Sequence, residues 1–382
     1  MFPRHAATGR VRSGRAAGPL VALLLAIAPA GALAASPASA DHPVRPSGDA
    51  RTVAVPGPPA GKAFVAFGDS YASGPGLDPA RDAGCGRSSA NWASDVAEAY
   101  GLGPEGRGDW ADYSCAGATA DRDERSAAGG PGGTIVGQVE RAARDGAIGP
   151  GTVAVTFTAG GNDGWAAKDH GSLYGVLAAC VRAGTPCGPS RRVGPVAQLV
   201  PETLAGLLPT GLMDLLSSVL AGPDERDRWL APSDLTAARM ADRLTPAVAA
   251  IRARAPRATI AVVGYPRVVP PAGSPGCSGP LGLGWDLTGG EVAYVDGLLA
   301  AYDRAQRAAL AAVDPTGGPV RFVDLRRASA GHDLCAGDEA WVSTPVLRGL
   351  GFGGDSLHPS ADGMSAIADV VAAFGRATGL GR

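Results

Sequence analysis

Ser70 and His358 stand out as residues whose setting suits covalent chemistry. Ser70 follows the apolar run Phe64–Phe67 in Phe67-Gly68-Asp69-Ser70-Tyr71. A serine at the carboxyl end of a buried parallel strand sits where open α/β sheets place their ligands. Gly68 permits a tight turn, so the hydroxyl can project into a cleft. A serine hydroxyl is a poor nucleophile at its free pKa and needs a base. The chain has five histidines. His5 and His42 fall in an N-terminal stretch that reads as export signal and leader, which leaves His170, His332 and His358. His358 follows Asp355 by three residues in Gly354-Asp355-Ser356-Leu357-His358-Pro359, just before a helical pattern. A turn of that length can aim the carboxylate at the ring, fixing its tautomer and stabilising the imidazolium. Ser70, His358 and Asp355 are therefore the candidate nucleophile, base and orienting acid of an acyl transfer.

Such a reaction needs donors for a developing oxyanion. Thr158-Ala159-Gly160-Gly161-Asn162-Asp163 ends one strand pattern, and Ser114-Cys115-Ala116-Gly117-Ala118-Thr119 ends another. Asn162 offers an amide donor and Gly117 a bare backbone N–H. The Gly-x-Ser-x-Gly elbow of α/β-hydrolases is absent, because position 72 is Ala. His332 is a weaker base, its acid Asp333 being adjacent rather than a turn away. Asp69 and Asp163 flank candidate residues and are read as loop-holding hydrogen-bond acceptors. Trp285 and Trp341 are either acyl-pocket walls or packing. Asp169 and His170 have no further ligand cluster to make a metal site. His-Glu-x-x-His and P-loop patterns are absent, so no metal and no cofactor are expected.

The elements that must position these residues alternate. Phe64–Phe67, Tyr113–Cys115, Val153–Thr158, Thr259–Val263 and Arg321–Leu325 read as short buried strands. Trp92–Tyr100, Ile135–Arg144, Leu235–Ala255, Glu291–Val313 and Ser360–Ala377 carry apolar residues at helical spacing. Ser233-Asp234 and Ser360 are good helix starts. Pro246 predicts a kink or split in the third helix. Strand–helix alternation predicts a parallel sheet covered on both faces. Pro189–Pro232 is long for a single crossover and holds apolar residues at helical spacing. It is either an extra helix packed on the core or an apolar cap over the cleft that meets lipid.

The chain has 382 residues, 45% of them hydrophobic, with net charge −2. That allows a sizeable core and excludes a basic field for nucleic acid. Arg4, Arg10, Arg12 and Arg15 precede the apolar run Leu20–Leu33. Ala32-Leu33-Ala34 and Ala38-Ser39-Ala40 both fit signal-peptidase cleavage, after Ala34 or Ala40. The run is too short and too interrupted to span a membrane. Residues 1–40 are thus expected to be a signal peptide, 41–61 a flexible leader, and 62–382 the folded domain with a helical insertion at about 189–232. Cys85, Cys115, Cys180, Cys187, Cys277 and Cys335 all lie in the exported region, and an even count there implies disulfides. Six cysteines allow 15 pairings, which spacing alone leaves open.

Gly68-Asp69-Ser70, Gly117, Gly160-Gly161-Asn162-Asp163 and Asp355-x-x-His358, in that order, resemble the signature of the SGNH (GDSL-type) hydrolases. The resemblance runs from about Phe64 to Ala377 and is similar to the secreted actinobacterial lipase/esterase branch. It implies a flavodoxin-like three-layer α/β/α sandwich with a central five-stranded parallel sheet. It also implies a serine esterase or lipase acting on small-molecule or lipid esters, with an oxyanion hole from the Ser70 amide, Gly117 and Asn162. The branch pairs neighbouring cysteines, which implies Cys85–Cys115, Cys180–Cys187 and Cys277–Cys335. A secreted monomer is expected, with transient contact at lipid interfaces. The competing readings are a carbohydrate O-acetyl esterase and a non-catalytic exported binding protein on the same fold.

Overall fold

The computed structural model describes residues 61–120, 133–166, 168, 170–181, 187–188, 229–279, 285–314, 316–318, 320–345, 347–348, 351–352 and 355–378. All of them belong to the unit Val55–Arg382. The expected signal peptide and leader, and the insertion as far as residue 228, lie outside the described residues.

Five parallel strands form the central sheet: β1 (Phe64–Gly68), β2 (Trp110–Asp112), β3 (Ala154–Thr158), β4 (Thr259–Val263) and β5 (Val320–Val323). Their order is β2-β1-β3-β4-β5, the flavodoxin-like order. Both faces are covered, so strand residues alternate between two cores. Val65, Phe67, Val155, Phe157, Ile260 and Val262 join one core. Helices α3 (Ile135–Arg144), α4 (Leu173–Cys180), α5 (Ala237–Arg254) and α6 (Gly289–Ala309) supply its other side. Phe64, Ala66, Ala154, Ala261 and Val263 join the second core, beneath α2 (Trp92–Ala99) and α8 (Ala361–Thr378). Two one-turn helices, α1 (Ser70–Ser73) and α7 (Leu325–Ala328), follow β1 and β5 directly. The molecule is the three-layer α/β/α sandwich.

Two expectations need correction, and one helix had no counterpart in the sequence reading. The second strand is Trp110–Asp112 rather than Tyr113–Cys115. Asp112 resembles a strand boundary in sequence, but it is buried and accepts from Asn91 Nδ2 at 2.7 Å and the Ser114 amide at 2.8 Å. Tyr113–Cys115 continues beside β1 through two further backbone bonds, Tyr113 N to Ala66 O and Cys115 N to Gly68 O, each 2.9 Å. Helix α5 is not split at Pro246 but continues through it, and it is capped by Thr236, not by Ser233-Asp234, which lie in a 3₁₀ turn. The carbonyl freed by the proline belongs to Asp242, an exposed residue, so water can satisfy it. Helix α4 was not anticipated. It is apolar nearly all round, so its sequence lacks the amphipathic period that marks a helix.

The ends of β1 and β3 are locked together by buried polar groups. The Gln138 side chain of α3 grips both backbone groups of Gly68, accepting from its N–H at 2.9 Å and donating to its carbonyl at 2.8 Å. The Asp69 amide donates to Thr158 O at 3.0 Å. The Asp69 carboxyl accepts from the Tyr71 amide at 2.9 Å and from Tyr265 Oη. Tyr265 Oη in turn accepts from the Gly161 amide at 2.7 Å. Three disulfides, Cys85–Cys115, Cys180–Cys187 and Cys277–Cys335, staple the loops. Thiol titration of the denatured, unreduced protein should find no free cysteine.

Burial pushes the Asp69 carboxyl up to about 7; the bonds from Tyr265 and Tyr71 oppose the shift and the Asp163 charge adds to it. The folded carboxyl therefore holds its proton more tightly than the unfolded one, whose value is near 3.8. The stabilisation is complete below about pH 4 and is lost as pH rises through about 7. A shift of that size corresponds to roughly 4 kcal/mol. Denaturant titration should give a lower unfolding free energy at about pH 8 than at about pH 5. Asp69→Asn should narrow that gap, while Asp303, also pushed up to about 7 by burial, preserves part of it.

Candidate active site

Each candidate residue lies just beyond the carboxyl end of a strand or in the loop before α8. Asp69 caps the single turn of α1, and Ser70 is its first residue. Ser70 and His358 are each only 6% exposed, so neither side chain is a free surface group. Gly117, Asn162 and Asp355 are half-buried. Strands β1 and β3 are neighbours with β2 on the far side of β1, the point in a doubly wound sheet where a crevice opens.

Tyrosines beneath the β3 loop explain its two glycines. A Cβ at Gly160, where φ is +111°, would lie 2.0 Å from Tyr302 Oη, which donates to the Ala159 carbonyl. A Cβ at Gly161 would lie 2.9 Å from Tyr265 Oη. The loop thus rests on two hydroxyls with no room for side chains. Asn162 follows, and its Nδ2 donates to Ala118 O at 3.0 Å, tying the β3 loop to the loop that carries Gly117. Gly117 itself has φ +81°, a conformation that favours glycine. Asp163 is buried and accepts from the Ala120 amide at 3.0 Å and from Arg243 at 3.5 Å. It holds loops together, as the sequence suggested.

The loop from Asp355 to His358 is fastened on two sides. The His358 amide donates to Asp355 O at 3.1 Å. Ser343 brackets the loop, its amide donating to His358 O at 2.8 Å and its carbonyl accepting from Leu357 N at 3.0 Å. From the Ser70 side, Tyr71 Oη donates to Leu357 O at 2.6 Å. Gly76 packs so closely that a Cβ there would lie 2.6 Å from the Asp355 Cβ. The His358 ring lies 5.4 Å from the Tyr71 ring and stacks at 5.4 Å on Tyr174. Tyr174 belongs to α4, and its amide donates to Gly161 O at 3.0 Å.

An apolar crevice of about 30 Å³ adjoins this assembly, with Tyr71, Gly161, Tyr174 and Tyr265 in its wall. Leu173, Val176 and Leu177 of α4 face Val295, Leu298 and Leu299 of α6 across it. Trp285 and Trp341 take no part in that wall. Trp285 is buried in the larger core, and Trp341 packs on the smaller one. His332 is occupied elsewhere, its Nδ1 2.8 Å from Glu339 O and its ring stacked on Trp341. His170 stacks on Trp229 at 4.1 Å. Sequence reasoning missed Tyr174, Tyr265 and Tyr302, which carry no spacing signal. Tyr71 was visible only as the neighbour of Ser70.

The chain is 29% identical over 310 residues to Lipase 2 of Streptomyces coelicolor, covering 80% of this chain and 83% of that protein. Phospholipase A1 from Streptomyces albidoflavus NA297 superposes with a TM-score of 0.49 at 21% identity, over 82% of this chain and 99% of that one. An extracellular lipase from Streptomyces rimosus gives 0.47 at 22% identity, over 81% and 98%. The family model of the GDSL-like lipase/acylhydrolases matches residues 66–366, a span running from β1 into α8. The chain belongs to the GDSL-like lipase/acylhydrolase family and is a carboxylic ester hydrolase.

Proposed function

We propose that the protein is an exported lipase or esterase that cleaves apolar acyl esters through an acyl-enzyme on Ser70. The observation that carries this reading is the apolar crevice, whose wall includes two tyrosines that flank His358. Ser70 Oγ attacks the ester carbonyl while His358 takes its proton. The carbonyl oxygen becomes an oxyanion, met by the Ser70 amide, the Gly117 amide and Asn162 Nδ2. Collapse breaks the bond to the alcohol oxygen, and His358 returns its proton to that oxygen as the alcohol leaves. Water, deprotonated by His358, then attacks the acyl carbon. The second tetrahedral species releases the carboxylic acid and restores the Ser70 hydroxyl. Asp355 orients the imidazole. The N-terminal pattern of arginines, apolar run and A-x-A sites supports export, as do three disulfides.

An aliphatic wall favours lipid-like esters over acetylated sugars, the competing carbohydrate-esterase reading. A crevice of about 30 Å³ is narrow, so long chains must displace side chains of α4 and α6. The p-nitrophenyl ester series should therefore peak at short to medium chains, and Leu177→Ala should move the optimum to longer ones. A protein that cleaves acetyl-xylan but no butyryl or longer ester would overturn the lipid reading. Ser70→Ala should lower kcat on the order of 10⁶-fold and leave the fold intact. Asn162→Ala should lower kcat by about 10²- to 10³-fold with little change in KM, since its partner charge exists only in the transition state.

A further inference from the structure

Leu357 has φ +64°, the sole non-glycine residue among those described to adopt a positive φ. It is fully buried and immediately precedes His358. A branched side chain disfavours this conformation, so it persists where the surroundings impose it. Ser343 takes its amide. Its carbonyl is taken by Tyr71 Oη, in a buried bond that spans 286 positions of sequence. Tyr71 adjoins Ser70 in the chain, as Leu357 adjoins His358. One side-chain bond thus couples the backbone of the nucleophile segment to that of the base segment.

The rest of Tyr71 is fixed as well. Its amide is capped by Asp69, its carbonyl accepts from Trp92 Nε1 at 3.2 Å, and its ring meets Tyr265 edge-on at 4.9 Å. The hydroxyl is therefore delivered to Leu357 O from an anchored support. Burial keeps the phenol well above its ordinary range, so it stays a donor throughout the neutral pH range.

Building on the assignment of Ser70 and His358 above, we propose that Tyr71 is a positioning residue for the reaction, its hydroxyl holding Leu357 in the left-handed conformation that points His358 at Ser70. The ring lines the crevice, and the hydroxyl sets the geometry of the base. Removing the oxygen alone should separate the two roles.

The test is Tyr71→Phe in the full chain, compared with Ser70→Ala and His358→Ala. KM for a p-nitrophenyl ester should stay near wild type, because the ring remains in the crevice wall. The kcat should fall by about ten- to a hundredfold, the scale on which a misplaced catalytic group costs rate. Imidazole NMR signals supply the readout that a purely structural role would not move. His358→Ala assigns the His358 signals, and in Tyr71→Phe these should shift or broaden while those of His170 and His332 stay in place. Wild-type kcat in Tyr71→Phe, or unchanged His358 signals, would overturn the proposal. Tyr71→Leu, which also removes the donor, carries the same kcat expectation should the phenylalanine variant not fold. If both variants unfold, the bond serves the fold and not the site, and the proposal fails. If Ser70→Ala or His358→Ala stays active, the reading of the reaction is wrong. If both are dead and Tyr71→Phe is wild type, the positioning role alone is wrong.

Discussion

A carboxyl group sealed from water is the constraint around which the site is assembled. Asp69 is 1% exposed, and a buried carboxyl is costly unless donors surround it. Its donors are the Tyr71 amide and the Tyr265 hydroxyl. Neither can be supplied unless β1 turns sharply into α1 and the segment after β4 reaches back across the end of β3. Tyr265 then has oxygen capacity left for the Gly161 amide, which sets the height of the β3 loop. The requirement for Asp69 to be satisfied therefore fixes three loops at once. Ser70 rides on the first and Asn162 on the last.

That arrangement separates what a linear reading can find from what it cannot. Ser70, Gly117, Asn162 and His358 could be nominated as candidates because glycine-rich strand ends, and a serine and a histidine each set beside a turn, mark themselves by residue type. Strands β1, β3 and β4 were legible because buried parallel strands are continuous apolar runs. The β2 edge was misplaced because Asp112, a boundary signal in sequence, is paired with Asn91 inside the fold. Helix α4 was invisible because it is apolar on every side, lying between the core and the crevice. The tyrosines were hidden for a different reason. Tyr265 follows β4 and Tyr302 sits in α6, and nothing in their local sequence says that their hydroxyls support Gly160 and Gly161. A glycine pair announces a close approach, but the approaching group must come from tertiary structure.

The disulfides act on the same edge of the sheet. Loops at the carboxyl ends of strands bury less apolar surface than the strands do and need other restraints. Cys85–Cys115 joins the loop beyond α1 to the end of the β2 segment, where the Ala116 amide also donates to Cys85 O at 2.8 Å. The next residue is Gly117, so its amide is presented from a stapled backbone. Cys180–Cys187 closes the far end of α4, the helix that carries Tyr174 and one side of the crevice wall. Cys277–Cys335 ties the stretch before α6 to the loop that follows α7. Rigidity is thus imposed by covalent bonds on the loops around the candidate residues, and by packing on the strands beneath them. In an oxidising environment the two persist together. Under reducing conditions the loops would lose their restraint before the sheet lost its core.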